Sequence, residues 1–236
     1  MRLSADAAHV PAQPRATGAA ADAVNAEGRR VLHAALDAGI NCLHSSEDYG
    51  TWWLMGEVLA ERPDRQDIHH VIKLTTPDYH ETGFDPGAVR RGVESALRSL
   101  HAERITFVQH LQRGPGLTPP EAYSHEGDAR RVSFLTNNRD AMRAAFDELE
   151  REGKIGTALS FPHTMGYAQA AIDTGVYGGV VHFLNLLETE IVPTDARTFA
   201  NGEIYARFDE SVRGCDAFVI QSHARPINEA LMEQLI

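Results

Sequence analysis

A chain of 236 residues with 43% hydrophobic and 23% charged side chains holds enough apolar material for one barrel or two small domains. Its formal net charge of −11 argues against a phosphate-backbone partner, because basic pairs such as Arg90-Arg91 and Arg130-Arg131 are isolated rather than clustered. Small molecules or other proteins are the expected partners, with neither nucleic acid nor a membrane among them.

Residues 1–27 are rich in Ala, with Pro11 and Pro14, and read as a disordered or loosely packed leader. They lack a basic start followed by an apolar run, and no span is long enough to cross a bilayer, so a cytoplasmic location is expected. From Arg29 to Ala38 the apolar residues Val31, Leu32, Ala35 and Leu36 recur at helical spacing, and Gly39 stops that helix before a buried strand over 40–43. A helix over 52–61, a strand over 70–74 and a helix capped by Asp85 with Pro86 at its first position follow, then a strand over 105–111. A long polar loop spans roughly 113–137. Ala141, Met142, Ala145, Phe146 and Leu149 mark a helix ended by Gly153, and a strand over 155–159, a helix over 167–174 and a strand over 180–184 complete the series. Strands alternating with helices predict a parallel sheet of α/β class, and their number suits a barrel.

Cys42 and Cys215 each fall in a predicted buried strand and read as reduced thiols rather than a disulfide. His69-His70 reads as a surface residue beside a core-edge residue, and the acidic run from Glu148 to Glu152 as a solvated helix face.

The segments Asp37-Ala38-Gly39-Ile40-Asn41, Ser45-Ser46-Glu47-Asp48-Tyr49-Gly50, Val71-Ile72-Lys73-Leu74 and Val108-Gln109-His110, in that order, resemble the aldo-keto reductase family over residues 28–189. The resemblance implies a partial (β/α)8 TIM barrel that reduces a small carbonyl with NADPH, in impaired form where its parts are missing. Tyr49 would protonate the carbonyl oxygen, Lys73 would assist that transfer, and His110 would orient the carbonyl. A phenol with an ordinary pKa near ~10 needs a neighbouring cation to trade protons near neutrality, and Lys73 sits within an apolar strand where it must either snorkel at the strand end or serve a charge partner; taken alone, Tyr49 would read as a rim tyrosine with its hydroxyl in water. The family places an aspartate where this chain has His44, so His44 joins the candidate catalytic residues in its place. The positions that hold the nicotinamide in the family correspond here to Ser160 and His182, and a complete barrel needs roughly 250 residues. A second reading has His44, His110 and His182, at the ends of alternate strands, converging as a metal site; polar lining of the barrel mouth is the plainer alternative.

After Pro193 the rhythm changes. Glu203 to Phe208 alternates with period two, Arg213-Gly214 turns, Ala217 to Ile220 reads as a buried strand, and a helix begins at Ile227. The run Phe199-Ala200-Asn201-Gly202-Glu203-Ile204-Tyr205, with Ser211-Val212-Arg213-Gly214-Cys215-Asp216, resembles the N-terminal region of ribose-phosphate pyrophosphokinase over residues 190–236. That resemblance implies a truncated α/β phosphoribosyltransferase-like segment in which Phe199, Asn201 and Glu203 belong to an ATP adenine site. Read from the residues alone, they are hairpin core and turn. The whole therefore reads as a fusion, and the alternative function is a non-catalytic protein whose tail contacts a pyrophosphokinase subunit or completes the broken barrel's edge, with self-association expected of an unfilled edge.

Overall fold

In a computed structural model of the protein, residues 19–77, 81, 83–114, 116–118, 121, 124–183 and 217–221 are described, with side chains at 19–21, 182–183 and 217–221 outside that description. Six strands lie side by side in chain order, every neighbouring pair parallel: β1 (Cys42–Ser46), β2 (His69–Thr75), β3 (Ile105–Leu111), β4 (Ile155–Ser160), β5 (Gly179–Phe183) and β6 (Ala217–Gln221). Helices α1 (Ala19–Asp37), α2 (Trp52–Ala60), α3 (Pro86–Leu100), α4 (Asp128–Asn137), α5 (Arg139–Arg151) and α6 (Met165–Thr174) supply the intervening layer. Parallel strands in chain order, with helices between successive strands from β1 to β5, are the arrangement of a (β/α) barrel, here with six strands in the described residues.

Local chemistry fixes most of the element ends. Asp85 accepts a hydrogen bond from Gly87 N at 2.8 Å and Pro86 opens α3, as the sequence predicts. At the end of α1, Gly39 takes φ +88°, its N–H donates to Leu36 O and the N–H of Ile40 to Ala35 O, a two-bond glycine cap. Ile40 therefore belongs to the cap, and β1 begins two residues later than expected, at Cys42. This moves His44 to the middle of the strand and leaves Cys42 exposed rather than buried. Cys215 lies outside the described residues.

Two further expectations change. Helix α1 starts at Ala19, inside the stretch read as a leader, because Ala19 to Ala23 has high helix propensity and the buried stripe begins with Asn25 and Gly28 before reaching Leu32 and Leu36. The polar stretch read as a loop contains α4, whose buried stripe is Arg131 and Leu135.

The main core lies between the sheet and the helices, around Leu32, Leu59, Ile72, Val93, Leu100, Val108, Phe146 and Ala158. Each fully buried large aliphatic side chain there contributes about 1.5–3 kcal/mol. Phe107, Leu111, Leu159, Phe161 and Val181 form a smaller cluster on the other face of the sheet, the barrel interior. Outside, Arg90 of α3 bridges Glu148 and Glu152 at 3.1 and 2.7 Å, so the acidic run from Glu148 is tied to its neighbouring helix. The predicted strand at 217–220 is present as β6, and it joins this sheet beside β5.

Candidate active site at the barrel mouth

Strand β1 ends at Ser46, whose hydroxyl accepts from Asp48 N at 3.4 Å and donates to Lys73 O at 3.3 Å. This starts a single tight turn, Glu47–Tyr49, which Gly50 closes at φ +64°. The turn sets Asp48 and Tyr49 over the neighbouring strand, where Ser46 is the register partner of Lys73. Lys73 is 9% exposed, and its ammonium lies 3.1 Å from Asp48 Oδ2 and 5.0 Å from the centre of the Tyr49 ring. A nearly buried ammonium requires an opposite charge, and Asp48 provides it. His44 packs against Tyr49 edge to face, with ring centroids 6.2 Å apart. Tyr49, Lys73 and His44 thus come together, joined by Asp48, which sequence reasoning missed. Its only signal was its place immediately before the tyrosine.

His110 does not join them. Register pairs in a parallel sheet project their side chains to the same face, and Lys73 is paired with Gln109 while His110 is paired with Leu74, a residue of the helix-side core. The imidazole is 1% exposed and lies among Phe146, Tyr177 and Phe84, at ring distances of 5.4, 5.7 and 6.4 Å. Its Nε2 is 2.6 Å from Thr76 O and its Nδ1 2.6 Å from Tyr177 Oη. A carbonyl only accepts, so Nε2 carries the proton and Nδ1 accepts from the Tyr177 hydroxyl, which fixes one neutral tautomer. Burial lowers its pKa to about 4 against the opposing pull of the Thr76 carbonyl. The ring is a structural bridge, and the barrel-interior positions beside Lys73 belong to Gln109 and Leu111.

Ser160 is the register partner of His110, fully buried on that same helix side. His182 lies in β5 opposite Ile220, with its side chain outside the described residues, as are Phe199, Asn201 and Glu203. The three-histidine metal site is not formed. His44 is paired with Val71, on the Lys73 face, so His44 and His110 stand on opposite faces of the sheet. Among the described residues no group of three or more His, Cys, Asp or Glu side chains is placed to hold a metal ion.

A second buried polar group adjoins Tyr177, the partner of His110. Tyr167 donates to Gln112 Oε1 at 2.7 Å, Gln112 donates to Arg131 O at 3.0 Å, and the Arg131 guanidinium stacks 3.9 Å from the Tyr167 ring centre. Burial pushes the Tyr167 phenol up to about 12, and burial with the neighbouring Tyr167 raises Tyr177 well above the usual phenol range. These groups are locked as neutral hydrogen-bonding partners rather than acids.

Residues 182–236 match the family described as the N-terminal domain of ribose phosphate pyrophosphokinase. Over 50 residues the chain is 68% identical to the ribose-phosphate pyrophosphokinase of Corynebacterium efficiens and 64% identical to that of Mycobacterium tuberculosis, in each case 21% of this chain and 15% of the relative. The chain therefore spans only a small part of those enzymes. Among solved structures it is similar to the glycerol dehydrogenase of Gluconobacter oxydans, with TM-score 0.54, 22% identity, 94% of this chain and 57% of the other covered. An aldo-keto reductase of Bacillus halodurans in its holo form gives TM-score 0.52, 20% identity, 83% of this chain and 57% of the other. No helix among the described residues is long and apolar enough to cross a membrane. The chain thus has the fold of an aldo-keto reductase barrel, in partial form, and carries at its end a fragment resembling ribose-phosphate pyrophosphokinase.

Proposed function

We propose that this chain is a reductase-type barrel whose carbonyl chemistry is impaired. Tyr49, with Lys73 beneath it and Asp48 holding Lys73, is arranged to present a proton to the oxygen of a small carbonyl compound. The observation that carries the impairment is His110, whose two ring nitrogens are both engaged on the far face of the sheet. The resemblance to aldo-keto reductases implies a nicotinamide dinucleotide, NADPH, as the hydride donor. The residues described do not fit it, because Ser160 is fully buried on the helix side and offers no hydroxyl to a nicotinamide at the mouth. A titration of NADPH followed by its own fluorescence, with an assay against small aldehydes, is expected to give neither saturable binding at micromolar cofactor nor turnover. Carbonyl-dependent NADPH oxidation that disappears in Tyr49→Phe would overturn the impairment and establish an active reductase built on the Asp48–Lys73–Tyr49 contact.

The non-catalytic fusion has its own support in β6. Residues from the pyrophosphokinase-like segment pair with β5 over Gly179–Phe183, so this segment covers a strand edge that would otherwise offer unpaired backbone groups. A chain ending before Ala217 is expected to self-associate in sedimentation and to melt several degrees lower. An unchanged association state with an unchanged Tm would show that the tail strand does not serve the barrel.

A further inference from the structure

At the opposite end of the strands from Tyr49 lies a cavity of about 550 Å³, formed where β2, β3 and β4 begin. Gly156 opens it: a Cβ at that position would stand 2.4 Å from the Thr106 carbonyl oxygen and 3.4 Å from an Arg104 guanidinium nitrogen. Thr106 organises the wall, its hydroxyl accepting from His70 N at 3.3 Å and lying 3.4 Å from His69 Nδ1.

Two observations separate this cavity from an ordinary surface hollow. His70 lines it at 2% exposure with Nδ1 lacking a hydrogen-bond partner, and an orphaned buried polar atom in a cavity wall calls for a partner. Arg65 and Arg104 also line it, both exposed and, like Arg98 and Arg151, without a carboxylate partner among the described residues, so both guanidinium groups are open to a ligand. Burial, with the neighbouring His69, lowers the His70 pKa to about 4 and leaves a neutral ring in the wall.

We propose that this cavity binds a small organic carboxylate, its anionic end held by Arg65 and Arg104 and its apolar body lying against Ile68, Ala102 and Phe107. Planar guanidinium groups pair with a carboxylate through two parallel hydrogen bonds, and the volume is that of a site for a small ligand. Glu103 and Glu150 stand on the same lining and offset the two arginine charges. That balance disfavours a polyanion and leaves local bidentate contact as the source of affinity.

Benzoate and hexanoate titrated into the full chain by calorimetry are expected to bind saturably. The double variant Arg65→Ala/Arg104→Ala, on exposed side chains, is expected to weaken that binding by at least about tenfold with an unchanged Tm. Tyr49→Phe is expected to leave it unchanged, which separates this cavity from the barrel mouth. Absence of saturable binding by either carboxylate, or equal binding by the double variant, overturns the proposal. Saturable binding of inorganic phosphate where both carboxylates fail overturns it equally, because the apolar wall would then have no part.

Discussion

His110→Ala is expected to cost the fold about 4 kcal/mol, far more than a mouth residue would, and to shift the urea midpoint accordingly. The ring is fully enclosed by Phe84, Phe146 and Tyr177 and makes two hydrogen bonds of 2.6 Å. Its loss leaves a void in a packed layer and removes the imidazole partner of the Thr76 carbonyl and of the Tyr177 hydroxyl. Each deserted buried polar group costs about 1–3 kcal/mol, and the void adds a term of similar size. His110→Gln, which can restore one of the two hydrogen bonds, should recover part of the loss. A His110→Ala protein with wild-type stability would mean that the imidazole is not a structural bridge, and would reopen its assignment to the barrel mouth.

The misplacement of His110 shows what a sequence can and cannot carry in a sheet covered on both faces. Along Ile105–Leu111 both faces are largely enclosed, so the run lacks the polar alternation that would reveal which residues point inward. A phase error of one residue exchanges His110 for Leu111, and nothing in the local pattern forbids it. Ser160 inherits the same error through its register with His110. By contrast, the element order was legible because its punctuation is chemical: Asp85 and Pro86 open α3, Gly39 closes α1, and Gly153 and Gly175 take φ values of +73° and +62° where α5 and α6 end. Helix α4 is hidden in the sequence because its buried stripe includes a charged residue, Arg131, whose guanidinium stacks on Tyr167 in the core. Of the mouth, Tyr49 and Lys73 were legible from their motif. Asp48 was not, because its role depends on how a three-residue turn aims a side chain.

Between about pH 6.5 and pH 4 the protein is expected to lose stability steeply, through His110 and His70. Each has an ordinary pKa near 6.5 when unfolded and about 4 when folded, in both cases chiefly because burial opposes the charged ring. In that window the unfolded chain binds more protons than the folded one, so acidification favours unfolding. The stabilisation is complete above the unfolded value and lost as pH falls through the folded one; each histidine accounts for about 3 kcal/mol of it. The exposed carboxylates act in a lower window. Glu152, held down to about 2 by Arg90 and Lys154, changes its contribution only below the ordinary glutamate range. A plot of Tm against pH should therefore bend downward near pH 6.5, before the carboxylates titrate, and His110→Phe should have a shallower slope even though it melts lower at pH 8. A Tm that stays flat from pH 7 to 4.5 would require both imidazoles to accept protons in place. For His110 that is physically demanding, because a proton on Nδ1 would face the Tyr177 hydroxyl that now donates to it and would force that hydroxyl to find another acceptor.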